Sequence, residues 1–539
     1  VGPGLLNTAD PCWRRKPSKT ASGRSRQIRR QPADPAEALL RELPMAYHLL
    51  TGATGLVGSY LLREFARAER PVAVIVRSTP RESARQRIED VMVRWERELG
   101  YLLPRPVVFE GDIVQPDLGL PPEAVRWLAR NCESVIHSAA SMTFQPDSRR
   151  GEPHRTNVQG TANLLEFCRR HGLRKFHHVS TAFVCGLRTG KVLETELDVG
   201  QQYGNVYEQS KVEGEKLVRA AEFLDPPTVY RPATIVGDSR TGYTTSYHGI
   251  YAPLKLAWAV ADKVDLTLRW GGSLMRLLGL SGSERKNLVP VDWVAGVIAW
   301  LHAHPEHHGK TYHLAPRSAV RVGMMTEVMQ EALREALSRP GRRKGEVPPD
   351  QPQIDTDQFA AFFRAQMEVY RSHWRDDPEF DLSNLLAAAP HLPPPEVDRD
   401  MLRRICRFAL EANFGWPKPA PSRPEFDVHE HLRRVVAEGP PPAHRNGSHA
   451  GVGLQVNGPG GGQWELFLEN GRVVRLREGI GADCRASLYL NSRTFQRLVQ
   501  KRITVEQAIE VGQVLVEGSE ASTAQLAAIL QALTKEATG

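Results

Sequence analysis

Tyr207 and Lys211 stand four residues apart in the run Tyr207-Glu208-Gln209-Ser210-Lys211, a spacing that puts both side chains on one face of a helix. A phenol titrates at about pH 10 in water, and a neighbouring ammonium favours phenolate and draws that value toward neutrality. The expected chemistry is general acid catalysis, with Tyr207 giving a proton to a carbonyl oxygen. Ser180 and Thr181 close an apolar run upstream. A hydroxyl there can hold the same oxygen through a hydrogen bond that strengthens as charge develops. Alone, a Tyr and a Lys at this spacing are common on any helix surface, and a third element is what gives them meaning.

That element is Thr51-Gly52-Ala53-Thr54-Gly55-Leu56-Val57-Gly58. It follows the apolar Tyr47, Leu49 and Leu50 and precedes Tyr60, Leu61, Leu62 and Phe65, which recur at helical spacing. A glycine-rich turn from strand to helix is where a dinucleotide pyrophosphate binds, against free backbone N–H groups. Gly52 permits the tight turn, Gly55 lets the backbone approach the phosphates, and Gly58 lets the helix pack on its strand. Thr54, Leu56 and Val57 belong to the same cradle. Arg77 ends the next apolar run, Val74-Ile75-Val76, where folds that prefer NAD place an acid for the ribose hydroxyl. A guanidinium there pairs with a 2′-phosphate instead, so the expected cofactor is NADPH.

The elements that must carry these residues alternate short apolar runs with amphipathic stretches, as in an α/β, doubly wound parallel sheet of Rossmann type. The expected strands are His48 to Thr51, Val72 to Val76, Val107 to Glu110, Ser134 to His137, Lys175 to Ser180 and Thr228 to Arg231. Each ends near a chemically suggestive block, and ligands in such sheets bind beyond the carboxyl ends of the strands. From about residue 234 to 419 the periodicity weakens, and Arg339 to Pro352 reads as a loop. Pro421, Pro424, Gly439-Pro440-Pro441-Pro442 and Asn446-Gly447 mark a linker over 420–450. In 451–539, alternation in Trp464, Leu466, Leu468 and in Ala486, Leu488, Leu490 predicts strands, with Asn470-Gly471 as a hairpin turn. Leu526, Ile529, Leu530 and Leu533 form one helical face, so this is a small α+β domain. No internal repeat is visible.

The chain has 539 residues, a net charge of +8 and six cysteines without metal or redox spacing. Its length predicts two or three domains. The cysteine pattern fits a reduced, cytoplasmic setting, and no metal is expected. Residues 1–44 hold nine Lys/Arg (Arg14, Arg15, Lys16, Lys19, Arg24, Arg26, Arg29, Arg30, Arg41) against Asp10, Asp34, Glu37 and Glu42. That basic tail carries most of the excess charge, which argues against nucleic acid as a partner. It has no apolar core of a secretory signal and is expected to be disordered. Met45, two residues before the first strand, is a candidate start of translation. No stretch reaches a membrane span, and peripheral contact with a membrane is compatible with the composition.

In these blocks the sequence resembles the extended short-chain dehydrogenase/reductases, and more closely their fatty-acyl and thioester reductase branch, the male-sterility-like NAD-binding domain. The resemblance covers about 45–419. Beyond the residues above, it rests on Gly111-Asp112-Ile113, His137-Ser138-Ala139-Ala140, Asn157-Val158-Gln159-Gly160-Thr161, Asn205-Val206-Tyr207, Tyr230-Arg231-Pro232 and Val289-Pro290-Val291-Asp292. It implies a mostly helical substrate cap after the sheet, with Asp112 and Ile113 flanking the adenine. Ala139 and Ala140 would line the cofactor cleft, Asn157 would anchor nearby backbone, and Lys211 would also grip the nicotinamide ribose. It also makes Thr181 the catalytic hydroxyl, with Ser180 as second choice. Arg87, in an extra helix within Ser78 to Arg105, matches a position recurrent in acyl reductases and joins the cofactor set. His137, His177 and His178 are read as structural. Residues 451–539 resemble a sterol carrier protein type 2 domain, a family that binds acyl chains or sterols.

The leading expectation is therefore reduction of a fatty acyl thioester, on coenzyme A or an acyl carrier protein, to aldehyde or alcohol with NADPH, beside a lipid-binding module. One alternative is a dehydrogenase or isomerase of a sterol or other hydroxylated lipid. Another is a non-catalytic lipid-binding or redox-sensing protein, against which the intact Tyr207, Lys211 and Thr181 argue.

Overall fold

Seven short runs, most of them rich in β-branched and apolar residues, form one parallel sheet in the computed structural model of the chain, and every strand in it is buried along most of its length. They are β1 (Tyr47–Thr51), β2 (Val72–Val76), β3 (Val107–Glu110), β4 (Cys132–His137), β5 (Lys175–Val179), β6 (Thr228–Pro232) and β7 (Thr311–Leu314), in the order β7-β6-β5-β4-β1-β2-β3. All neighbouring pairs run parallel. The structure describes residues 46–101, 103–261, 275, 278–339, 356–417, 426–437, 451–469, 472–480, 484, 486–517 and 520–534. All of these lie within one compact unit.

Helices cover both faces, as a sheet with two apolar faces requires. They include α1 (Leu56–Arg67), α2 (Ala84–Leu99), α3 (Pro122–Asn131), α4 (Thr161–His171) and α5 (Val206–Arg219). The strand order reverses between β1 and β4, and the crevice above that reversal is where a doubly wound sheet binds its ligand. Six strands lie where the sequence placed them, within one or two residues at each end.

The region after 234 divides differently from the expectation. Part of it is a cap: α6 (Tyr251–Val260), then α8 (Val322–Ser338), α9 (Thr356–Met367) and α10 (Arg399–Glu411), several of which share a separate apolar cluster. Between them the chain returns to the sheet, where α7 (Val291–Ala303) packs in the main core and β7 adds the outermost strand. This helix is buried through Val291, Val294, Ala295, Val297, Ile298 and Leu301. No helix among the described residues is long and apolar enough to cross a membrane.

The C-terminal domain also starts earlier than its strands. A helix, α11 (Val428–Ala437), lies inside the expected linker and buries Val428 and Leu432 against the domain's core. Then come β8 (Gly451–Asn457), β9 (Gly462–Glu469), β10 (Arg472–Glu478), β11 (Ala486–Asn491), α12 (Ser492–Val499), α13 (Val505–Glu510), β12 (Val514–Glu517) and α14 (Glu520–Leu533), with sheet order β10-β9-β8-β11-β12. The basic tail 1–44, most of the loop at 339–352, the rest of the linker and the Asn470-Gly471 turn lie outside the described residues.

This second sheet docks on the first. Strand β3 is the last of the seven and would leave its outer backbone groups unpaired. Two buried glutamines meet them: Gln455 accepts from Val108 N–H at 3.3 Å and donates to Pro106 O at 2.7 Å, and Gln463 donates to Val108 O at 2.7 Å. Tyr489 and Ile480 join the core cluster of the seven-stranded sheet, with the Tyr489 hydroxyl 3.2 Å from that of Tyr47.

Candidate active site

The turn after β1 is shaped by contacts that tolerate no side chain. Gly52 has φ +77°, and a Cβ on it would lie 2.6 Å from Ala139 N, in the loop that follows β4. A Cβ on Gly58 would lie 2.0 Å from Gly52 O. Glycine is required at both places by turn and packing alone. Gly55 caps α1 in an extended conformation with no side-chain partner, so the helix N-terminus faces the crevice. A Rossmann crevice with such a helix end fits a dinucleotide pyrophosphate.

Two guanidiniums flank this turn. Arg87, in the first turn of α2, donates to Thr54 Oγ1 at 2.9 Å and to Arg77 O at 2.6 Å. Burial and the nearby Arg77 both favour loss of its proton and lower its pKa from the ordinary value. The exposed Arg77 lies 3.8 Å from the Asp112 carboxylate. Two cations brought together beside a phosphate cradle form a place for another anion. Ile113 is buried under the chain at Gly160, where a Cβ would come within 2.8 Å of it.

A hydrogen-bond chain joins the crevice to the tyrosine helix. Thr161 Oγ1 donates to Asn157 O at 2.7 Å, so it accepts from His137 Nε2 at 3.0 Å; His137 Nδ1 then accepts from Thr51 Oγ1 at 2.8 Å, and Thr51 accepts from Ala139 N at 3.3 Å. Every partner is used, which fixes the imidazole tautomer. Asn157 holds Ser141 through both backbone groups and donates to Ser210 Oγ at 2.9 Å, and Ser210 donates to Tyr207 O at 2.7 Å. Asn157 is thus an anchor of both the Ala139-Ala140 loop and the start of α5. Burial drives the His137 pKa down to about 3, so it stays neutral and structural.

Tyr207 and Lys211 share a face of α5, which Asn205 caps by accepting from Glu208 N at 3.0 Å. Both line one cavity with Ser180 and Thr181. Thr181 is the hydroxyl that faces the Tyr207 phenol, while Ser180 lies near the Glu215 carboxylate. The expected lowering of the Tyr207 pKa by Lys211 is corrected: burial, with the Glu208 carboxylate adding to it, pushes the phenol up to about 12. Lys211 is not directed at the phenol; its ammonium donates to Val179 O at 2.9 Å, and burial lowers its pKa to about 8. For proton donation the outcome is favourable, since a phenol held above its ordinary value keeps its proton at neutral pH.

The cavity runs from Gly55, Leu56, Val57 and Gly58 past Ala140 and the hydroxyls, then into the cap between Leu254, Met325, Met329, Phe363 and Met367. Five of the nine methionines of the chain line it, the others being Met142 and Met275. Phe144 stands edge-on to Tyr207, Tyr370 and His373, each at 5.7 Å between ring centres. Sequence reasoning missed Phe144, Tyr370 and His373, because no motif ties them to the tyrosine helix. Among the described residues no group of three His, Cys, Asp or Glu is placed to hold a metal.

Residues 50–298 match the family model described as male sterility protein, an NAD-binding domain. Curated relatives include the nonribosomal peptide synthetase asaC of Aspergillus flavus, 27% identical over 286 residues, which are 50% of this chain and 26% of that protein. Another is the aldehyde reductase lnaA of the same fungus, 31% identical over 289 residues, 50% of this chain and 25% of that protein. The chain thus spans about a quarter of the length of these relatives. Among solved structures, the terminal R domain of the myxalamid PKS-NRPS pathway is 25% identical with a TM-score of 0.52, over 69% of this chain and 92% of that one. Over residues 50–298 the chain is therefore similar to the male sterility protein family, whose model describes an NAD-binding domain.

Proposed function

We propose that the protein reduces a carrier-bound or coenzyme A-bound acyl thioester with NADPH, giving an aldehyde or alcohol. The observation that carries this reading is the single cavity that joins the dinucleotide cradle, the Thr181-Tyr207 pair and a methionine-lined apolar chamber in the cap. When bound, the nicotinamide supplies the hydride. Tyr207 and Thr181 hold the thioester oxygen, Tyr207 delivers a proton to it, and the apolar chamber keeps water from the reacting carbonyl. Thioether side chains adapt to a flexible chain better than branched ones, which favours an extended acyl group. Arg77 and Arg87 support NADPH over NADH.

The names of the relatives, an aldehyde reductase and a peptide synthetase, agree with release of a thioester as an aldehyde. Incubation with NADPH and acyl groups on coenzyme A or on a phosphopantetheinylated carrier tests it. Free thiol and aldehyde or alcohol should appear together with cofactor oxidation. Cofactor oxidation on hydroxysteroid ketones without thiol release from any thioester would sink the reading.

Lipid binding by residues 451–539 is a separate proposal, supported by the order of strands and helices. Trp464, Leu466, Leu488, Phe495 and Leu530 fill its core, so an acyl ligand has to displace packed side chains. Saturable uptake of a fluorescent fatty acid by a variant lacking the reductase cavity's function, Tyr207→Phe with Met329→Trp, would support it, and no uptake would end it.

A further inference from the structure

A second cleft opens where α2 runs beside the C-terminal domain, apart from the active-site cavity. Its lining includes Val93, Glu96 and Arg97 from α2, Arg493 and Arg497 from α12, and Arg502 just beyond that helix. Arg493 and Arg497 are one helical turn apart and share a face. None of these four arginines has a carboxylate within ion-pair distance among the described residues. Arg497 meets only the Gln513 amide, at 3.4 Å. The one carboxylate in the lining, Glu96, is already engaged by the buried Arg105, with one hydrogen bond at 3.0 Å and a second, shorter one.

Four cations from two domains that face one concavity repel each other, and an anion among them reverses the sign of that interaction. The remaining lining is side-chain amide and hydroxyl, with no aromatic ring on which a base could stack. Guanidinium forks and amide N–H groups match phosphate oxygens. We propose that this cleft binds a polyphosphate chain, which ties the C-terminal domain to α2. Free polyphosphate and the phosphates of a nucleotide offer the same chemistry, and the absence of an aromatic wall means the base contributes nothing.

The test is a titration of the full chain with tripolyphosphate and, separately, with ATP at constant ionic strength, read by calorimetry and by thermal unfolding. Saturable binding of both with similar affinity is expected, as is a rise in unfolding temperature. R497Q/R502Q should weaken binding at least tenfold and leave kcat/KM for cofactor oxidation unchanged, with R97Q, on the other domain, giving the same direction. R87Q should leave tripolyphosphate binding intact, since Arg87 serves the cofactor cradle. A non-saturable salt effect would overturn the proposal, as would binding lost in R87Q but retained in R497Q/R502Q. ATP bound more than tenfold tighter than tripolyphosphate would overturn the base-free assignment.

Discussion

Arg87 donates a hydrogen bond to the Thr54 hydroxyl at 2.9 Å, and so ties the glycine-rich turn to the helix that connects β2 to β3. Its second nitrogen holds Arg77 O, which fixes the end of β2 against the same turn. One side chain therefore sets the distance between the pyrophosphate cradle and the guanidinium proposed for the 2′-phosphate.

Replacing Arg87 by Ala should raise KM for NADPH roughly 10- to 150-fold, the loss of a charge-assisted contact of about 1.5–3 kcal/mol. KM for NADH should change much less, because the contact it removes is to a phosphate that NADH lacks. Steady-state kinetics with both cofactors decides this. An equal effect on the two would mean that Arg87 only shapes the turn.

Tyr207→Phe should lower kcat by about 10²–10⁴-fold, the usual worth of a positioned acid, while NADPH binding followed by fluorescence stays intact. The pH profile should carry the signature of the neighbouring amine. With the phenol pushed up to about 12, Tyr207 remains protonated through neutral pH, and the group that titrates is Lys211, at about 8. Loss of its positive charge removes help for a developing phenolate, so kcat should fall as pH rises through about 8. Activity that is flat from pH 6 to 10 would remove Lys211 from the mechanism.

The glycine-rich turn and the tyrosine helix were legible because their geometry is local: Gly52 to Gly58 and the Tyr207-Lys211 pair each sit within one turn or element. The cap half was not, since Phe144, Tyr370 and Met329 meet only after three separate chain segments fold over the sheet. The direction of the Tyr207 shift also escaped the sequence, because spacing reveals a neighbouring charge but not how deeply both groups are buried. Gln455 and Gln463 are a third case. They alternate with Leu454 and Trp464, so period-two reading turns them to solvent, yet they are 0% and 8% exposed against the seven-stranded sheet.

Below neutral pH the fold should weaken through its histidines. His48, His177 and His302 pack ring against ring at 4.5 and 4.6 Å, at the end of the sheet away from the crevice. Burial lowers the His48 pKa to about 4 and those of His177 and His302 also, with Arg70 and Lys175 nearby and Glu133 opposing them at His48. The folded state thus binds fewer protons than the unfolded chain, whose histidines titrate at about 6.5. Stability present above that pH is lost as pH falls toward the folded values, by up to about 1.4 kcal/mol per unit for each histidine. Urea unfolding between pH 7.5 and 5 should show a falling midpoint, and His302→Phe should flatten it. A midpoint that does not move would show that the cluster is hydrated.

Gln455 and Gln463 predict that the two sheets unfold together. Each supplies backbone-like hydrogen bonds to β3, Gln463 donates to Gln455 Oε1 at 2.7 Å, and Gln455 donates to Asn457 Oδ1 at 2.8 Å, so the two glutamines act as one polar network. Changing Gln455 to Ala leaves Val108 N–H and Pro106 O without partners, at about 1–3 kcal/mol for each buried group. The apolar part of the contact, Tyr489 and Ile480, stays in place but has no means of pairing an edge strand. Calorimetry of the wild type should give one transition for both domains. Q455A/Q463A should split it, with the transition of the seven-stranded sheet moved to lower temperature and β3 amides exchanging faster with deuterium. A single, unshifted transition in the variant would mean that the interface is held by Tyr489 and Ile480 alone.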